Sequence, residues 1–552
     1  MKHFITSNLV LILTLLFFVF TAKAQPPAFP QAQGFGAYQT SGGRGGQVLY
    51  VTNLNCSGPG SLNAALATPG VRYILFKVSG IIDCAAEIVY GNCYIAGQTS
   101  PGGIMVRGII ADDWYEPAGS AQNIIVRHLT SRPATATVRP GTGWVADDAM
   151  RLDAARNVVI DHCSFANATD ESIQISRSSN ITLQYCMLAE TLGSHFDYGG
   201  LLMNYSVANH RLDSITIHHC LWNRIGGRLP EISCEISAEA SSDMDCFNTL
   251  RRYEISNNLF WDLPIQMWYG SDNPDVPNHT LQINLINNHA VARNAYHGPF
   301  FNHAFLDHTP NQIFASGNTM NLYPALSDYQ LFYCCNDFNQ FYPNTDLGSA
   351  SLLSARLPYP TISYTPTAEL TNHLLCNVGA FNNHSPNRRN TMDRRLLQAL
   401  QNGAINSNPV NGNDYFNDAF TLDFTVAPAA PQDTDNDGMP DVWESAHGLN
   451  PSVQDHNLTN LSVALTGFSG YTNLECYLNR LAATLSGAAP IISGPTAVCG
   501  SVISNYSVSE QTGAVYLWTV TGGNIISGQG THTVQVQWTS AVGCNIQVAV
   551  LE

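Results

Sequence analysis

A single pattern of polar and apolar positions recurs through the middle of the chain. It appears as Asn157-Val-Val-Ile-Asp-His-Cys163, Asn180-Ile-Thr-Leu-Gln-Tyr-Cys186 and Ser214-Ile-Thr-Ile-His-His-Cys220. Each copy opens on a small polar residue, alternates apolar side chains, and closes on cysteine. Alternation with a period of two marks a β-strand with one buried face. Its return at coil-like intervals marks a repeat architecture. Asn123-Ile-Ile-Val-Arg-His-Leu129 extends the series upstream. Arg252 to Asn258, Gln282 to Asn288 and Gln312 to Asn318 extend it downstream. The closing residues are then Leu129, Cys163, Cys186, Cys220, Asn258, Asn288 and Asn318. In a parallel β-helix they stack along the axis, with thiols packed inside and each buried amide bonded to its neighbour. A sandwich of antiparallel hairpins predicts Asn-Gly or Asp-Gly turns between adjacent strands, and the interval 123–258 has none. The pattern therefore predicts an all-β protein built on a right-handed parallel β-helix.

The flanks read differently. Residues 1–24 carry Lys2, an apolar run from Leu9 to Phe20 and the small-x-small site Ala22-Lys23-Ala24, which is the layout of a secretory signal. The run is too short for a membrane span. A Pro/Gly/Ala-rich stretch follows, then Gly58-Pro-Gly-Ser-Leu-Asn-Ala-Ala-Leu, a turn leading into a short helix that can cover the open end of the solenoid. The rungs are expected to begin at Tyr73. This assigns residues 25–428 to the β-helix.

Residues 429–487 form a second unit. Asp433, Asp435, Asp437, Asp441 and Glu444, with Gly438 at the sixth position, have the spacing of an EF-hand loop, whose alternating oxygens converge on one hard cation. One calcium ion of structural role is expected there. A short helix follows the loop, and a second is expected from Tyr471 onward. Residues 488–552 are short alternating strands with Trp518 between Cys499 and Cys544. They resemble an immunoglobulin-like β-sandwich, specifically the PKD-like modules of secreted bacterial proteins.

Composition narrows the function. Of 552 residues, 45% are hydrophobic, only 12% are charged and 43 are glycine, which suits a long core with many turns. The net charge of −17 argues against nucleic acid or an anionic membrane as partner. An acidic polysaccharide remains open, provided local arginines or bound calcium offset the charge. All 14 cysteines follow the signal, where disulfides are permitted. Cys163, Cys186 and Cys220 are expected as free core thiols. Cys234 with Cys246 and Cys499 with Cys544 are candidate bridges, and Cys56, Cys84 and Cys93 offer another.

The strings FPQAQGFGAYQTSGGRGG, VTNLNCSGPGSLNAAL, FKVSGII, YIAGQTSPGGI, NIIVRHLTSR, DDAMRLDAARNVVIDHCSF and SITIHHCLWNR, followed by RLP, resemble the secreted pectate lyases of polysaccharide lyase family 1. The similarity is dense over about residues 28–260. It thins to rung-like strands and Asn/Tyr/Pro-rich loops by about residue 425. The resemblance implies a secreted monomer that cleaves polygalacturonate by β-elimination. Calcium bridges the uronate carboxylate, a base removes the C5 proton, and the C4 oxygen leaves.

Residue by residue, the resemblance implies Asp148, with Asp147 beside it, and Asp170 and Glu171 as cleft calcium ligands. It implies Arg228 as the base, although a guanidinium stays charged in most proteins. Asp161 and His162 are expected to be structural. Three positions depart from the family pattern. Gln174 stands where a further aspartate is common, Glu231 and Ser233 stand near a second arginine's place, and the lysine of region 190–200 is missing. His195 or Arg224 is expected to take over a substrate contact. Two other classes fit the fold: a β-helix glycoside hydrolase using Asp147, Asp148 and Asp170 as paired acids, and a glycan-binding β-helix without catalysis.

Overall fold

The computed structural model describes residues 25–114, 121–133, 137–138, 145–146, 148–168, 170–191, 199–225, 227–233, 249–262, 268–269, 280–292, 301–302, 311–333, 351–381, 389–405, 421–422, 427–482, 492–495, 502–508, 510, 515–539 and 545–551. The residues 1–24, Asp147, His195, Cys234, Cys246, Cys499 and Cys544 lie outside them.

The repeat template resolves into three parallel sheets that wind around one core. The first sheet has 11 strands, from Gln47–Val51 to Ser351–Leu352. The second has 9, from Gly80–Ile81 to Thr319–Met320, and the third has 7, from Ala86–Glu87 to Trp268–Tyr269. Each coil visits all three in turn, as in Arg156–Asp161, Ser164–Ala166 and Ile173–Ser176. The strands stack in register, with Val158 opposite Ile181 and Ile181 opposite Ile215. This is a parallel β-helix. It begins one coil earlier than expected, because Gln47–Val51 already pairs with Arg72–Phe76.

The interior ladder is continuous. Leu129, Cys163, Cys186, Cys220, Asn258, Asn288 and Asn318 are all fully buried. The thiols of Cys163, Cys186 and Cys220 are free. Below them, Asn258 Nδ2 donates to Asn288 Oδ1 at 3.1 Å, and Asn288 Nδ2 donates to Asn318 Oδ1 at 3.0 Å. Asn318 Nδ2 then donates to Asp328 at 3.2 Å, which ends the ladder. Cys56 and Cys84 form a disulfide, and Cys93 is a buried thiol.

Three segments cover the outside of the coils. Helix α1, Leu62–Leu66, caps the first coil, and Arg72 donates to its carbonyls at Ala65 and Leu66. The glycine-rich arm lies against the first sheet, where Gly36 N donates to Thr182 Oγ1 at 2.9 Å. A Cβ on Gly36 would sit 2.5 Å from the Val158 carbonyl oxygen, so only glycine allows the arm to lie this close. Helices α2, Thr367–Asn377, and α3, Thr391–Gln401, were not expected from the sequence. Leu370, Leu374, Met392, Leu396 and Leu400 bury the outer face of the second sheet around Met187, Leu221 and Leu259.

Beyond the β-helix, α4, Asp441–Ala446, and α6, Asn473–Ala482, match the two expected helices, and α5, Ser462–Thr466, is additional. Met439, Leu474, Leu478 and Leu481 pack on Tyr73, Tyr94 and Val159 of the first sheet, with Phe29 of the arm in the same cluster. The strands from Ile503–Ser507 to Asn545–Leu551 form two antiparallel sheets around Trp518 and Trp538. Among the described residues, no helix is long and apolar enough to cross a membrane.

Candidate active site and cation sites

Four successive coils enter the third sheet at one place. Asp148 precedes the strand Met150–Asp153, and Glu171 precedes Ile173–Ser176. Gly199 and Gly200 precede Leu201–Asn204, and Arg228 precedes Glu231–Ile232. The coils are tied there by Ala149 N to Glu171 O, Ser172 N to Gly199 O, and Leu201 N to Arg228 O. Parallel strands lie about 4.8 Å apart, so side chains at equivalent entrances meet.

Asp148, Asp170 and Glu171 bring carboxylate oxygens within 4.8 Å of one another. Asp148 Oδ1 also accepts the Glu171 amide at 3.1 Å. Arg228 ion-pairs with Glu171, and its Nε lies 3.0 Å from Glu231. Arg228 enters two coils beyond Glu171, so its side chain must cross the intervening coil at Gly199. A Cβ on Gly199 would lie 3.0 Å from Glu171 and 3.3 Å from the Arg228 Cδ. The absence of a side chain at Gly199 is what lets cation and acids touch.

The oxygen set fits a hard cation. Asp170 Oδ1 is buried without a hydrogen-bond partner, and calcium is bound by such carboxylate oxygens. Gln174 supplies no charge and turns along its strand to donate to Ser176 Oγ at 3.0 Å. Ser233 is fully buried beside the same sheet.

Arg224 is not in this cleft. It follows the strand Leu221–Asn223 of the second sheet, where it pairs with Glu190 at 2.8 Å and approaches Asp262 at 4.0 Å. Arg395 of α3 binds the same Glu190 at 2.9 Å. Arg224, expected to contact substrate, lies instead in an ion-pair network that ties Glu190 to α3. The cleft instead offers Arg151, which the sequence reading passed over. The alternation Met150-Arg151-Leu152 turns it outward beside Gln174. Against the opposing effect of burial, the carboxylates of Asp153, Asp148 and Asp112 raise its pKa.

Asp161 and His162, expected to be structural, lie buried where the chain leaves the first sheet. Burial opposes the charge of Asp161, but Arg127 at 2.6 Å and His162 hold its pKa well below the usual carboxylate range. The rings of His128, His162, Tyr185 and His219 stack on the turns leaving the first sheet.

The loop at 433–444 gathers a second acidic cluster. Asp433, Asp435 and Asp437 meet within 4.8 Å, and so do Asp437, Glu444 and Asp455. Asp441 does not join them. Its carboxylate accepts the amide and hydroxyl of Thr434, each at 2.8 Å, because it opens α4 and faces back along the loop. Asp455, which the sequence reading did not single out, stands in the cluster instead. Burial, followed by the nearby aspartates, pushes Glu444 up to about 8. Burial also pushes Asp437 up to about 6.

The chain is similar to several fungal proteins described as "Probable pectate lyase C". The protein from Aspergillus fumigatus is 28% identical over 468 residues, which covers 82% of this chain and 93% of the relative. The one from Aspergillus flavus is 28% identical over 490 residues, covering 86% and 98%. Among solved structures, the major allergen of cedar pollen aligns with TM-score 0.38 and 13% identity, over 63% of this chain and 92% of that one. A thermostable pectate lyase aligns with TM-score 0.41 and 13% identity, over 65% and 99%. Residues 486–551 match the model of the PKD-like domain. The chain is a parallel β-helix similar over most of its length to proteins described as pectate lyases, and its residues 486–551 match a PKD-like domain.

Proposed function

We propose that this protein is a secreted polysaccharide lyase that cleaves pectate, or a related uronate polymer, by calcium-assisted β-elimination. The observation that carries the reading is the meeting of Asp148, Asp170, Glu171 and Arg228 at one entrance of the third sheet. The guanidinium placed between Glu171 and Glu231 suits an anionic sugar, because it and a cation held by the acids offset the charge of the sugar's carboxylate.

Asp148, Asp170 and Glu171 are the residues that would hold calcium. Bound there, it would neutralise the uronate carboxylate and make the C5 proton more acidic. Arg228 faces the same point and, as neutral guanidine after losing one proton to solvent, takes the C5 proton and becomes guanidinium. The C5–H electron pair becomes the C4–C5 double bond, the C4–O bond breaks, and the leaving sugar's oxygen takes a proton from water. Glu231 keeps the guanidinium oriented across Gly199, and Arg151 offers a second cationic contact along the sheet.

The test is incubation of the full chain with polygalacturonate, with calcium or with a chelator, and chromatography of polymer length. Shortening that needs calcium is the expected result. Binding without shortening would support a glycan-binding protein instead.

A further inference from the structure

The acidic loop is not part of the cleft, and its chemistry is unaccounted for by the lyase reading. Glu444 is fully buried, and neither of its carboxylate oxygens has a hydrogen-bond partner. Asp433 Oδ1 and Asp435 Oδ2 are likewise buried without one. A buried carboxylate without a donor is costly unless a cation meets it. Glu444 points into the cluster that Asp437 and Asp455 complete.

The same cluster joins three parts of the fold. The Tyr50 hydroxyl, on the first strand of the β-helix, donates to Asp433. Lys77 donates to Asn436 at 2.9 Å. Asp455 donates its amide to Asp437 at 3.0 Å and accepts from Asn473 of α6 at 3.3 Å. Gly438, at φ +101°, lets the loop lie flat, since a Cβ there would be 2.8 Å from both Leu75 and Leu474.

We propose that Asp433, Asp435, Asp437, Glu444 and Asp455 bind one calcium ion, which fastens α4 and α6 to the outer face of the first sheet. The ligand set differs from EF-hand spacing. Asp455, from beyond the loop, takes part, while Asp441 serves as a clasp for Thr434. Carboxylates from several segments give the wide, oxygen-rich cage that suits calcium better than the smaller magnesium ion. A cation that binds only the folded arrangement stabilises it by mass action.

The experiment uses the full chain carrying Asp148→Asn and Asp170→Asn, which removes the cleft's contribution. Calorimetric titration with calcium should give one ion per chain. The thermal midpoint should rise with calcium and rise less with magnesium. Added to that background, Glu444→Gln and Asp455→Asn should each weaken binding by about tenfold or more. Asp441→Asn should leave it unchanged. Absence of both heat and thermal shift would overturn the proposal. So would an Asp441→Asn loss as large as that of Asp455→Asn, or an equal response to magnesium.

Discussion

Replacing Asn288 by alanine should cost far more than replacing Cys186 by alanine, although both side chains are fully buried on the same interior ladder. The Asn288 amide accepts from Asn258 N at 3.0 Å and from Asn258 Nδ2 at 3.1 Å. It donates to Ile255 O at 2.9 Å and to Asn318 Oδ1 at 3.0 Å. Alanine removes all four bonds and leaves the buried Asn258 backbone N–H without this acceptor. An orphaned buried donor costs roughly 1–3 kcal/mol, and each of the three further bonds contributes about 1 kcal/mol net, so a loss of about 4–6 kcal/mol follows. The Cys186 thiol makes only weak sulfur contacts, to Gln184 O at 3.3 Å and Ile160 O at 3.8 Å. Its removal leaves a small void worth about 1–2 kcal/mol. Urea unfolding of the full chain, followed by circular dichroism, measures both. Equal losses, within about 1 kcal/mol, would refute the idea that the asparagine ladder works through its hydrogen bonds and not through burial alone.

Three other outcomes follow from the site and its supports. Burial holds His218 down to about 3 and His219 well below its usual value, so both stay neutral in the folded chain. Once unfolded they take up protons below about pH 6.5. Their contribution is therefore complete above that pH and is lost as pH falls, by about 1.4 kcal/mol per histidine per pH unit. Thermal unfolding recorded between pH 7 and pH 5 should show the decline, and a flat profile would contradict it. Arg228→Gln releases Glu171 from its buried ion pair and should tighten calcium binding in the cleft, read by calorimetry; weaker binding would show that Arg228 and the cation do not share Glu171. Asp148→Asn should raise the calcium concentration needed for half-maximal polymer shortening, and an unchanged requirement would remove Asp148 from the ligand set.

The sequence made the ladder legible because two independent periods coincide there. The two-residue alternation turns Cys163, Cys186 and Cys220 inward, and the coil repeat stacks them. Neither period reports what happens at a corner between sheets. Arg224 and Arg228 are only four residues apart, yet they enter different sheets and face different partners, Glu190 and Glu171. Asp455 was hidden for a related reason. It lies outside the loop spacing and reaches Asp437 and Glu444 only after the chain has folded back. Helix α3 was legible in principle, since Met392, Leu396, Leu397 and Leu400 have helical spacing. Gly199 gave no sequence signal as a site residue, because its part in the cleft is the space it leaves.

The chemistry of the chain end made by cleavage tests the central claim most directly. Polygalacturonate treated with the wild-type chain and calcium should yield products whose ultraviolet absorbance rises with each break, as a C4–C5 double bond forms. Arg228→Lys should abolish that rise while leaving the fold and calcium binding intact, because lysine keeps the charge but not the forked geometry. Products with saturated ends, or full elimination by Arg228→Lys, would contradict the account.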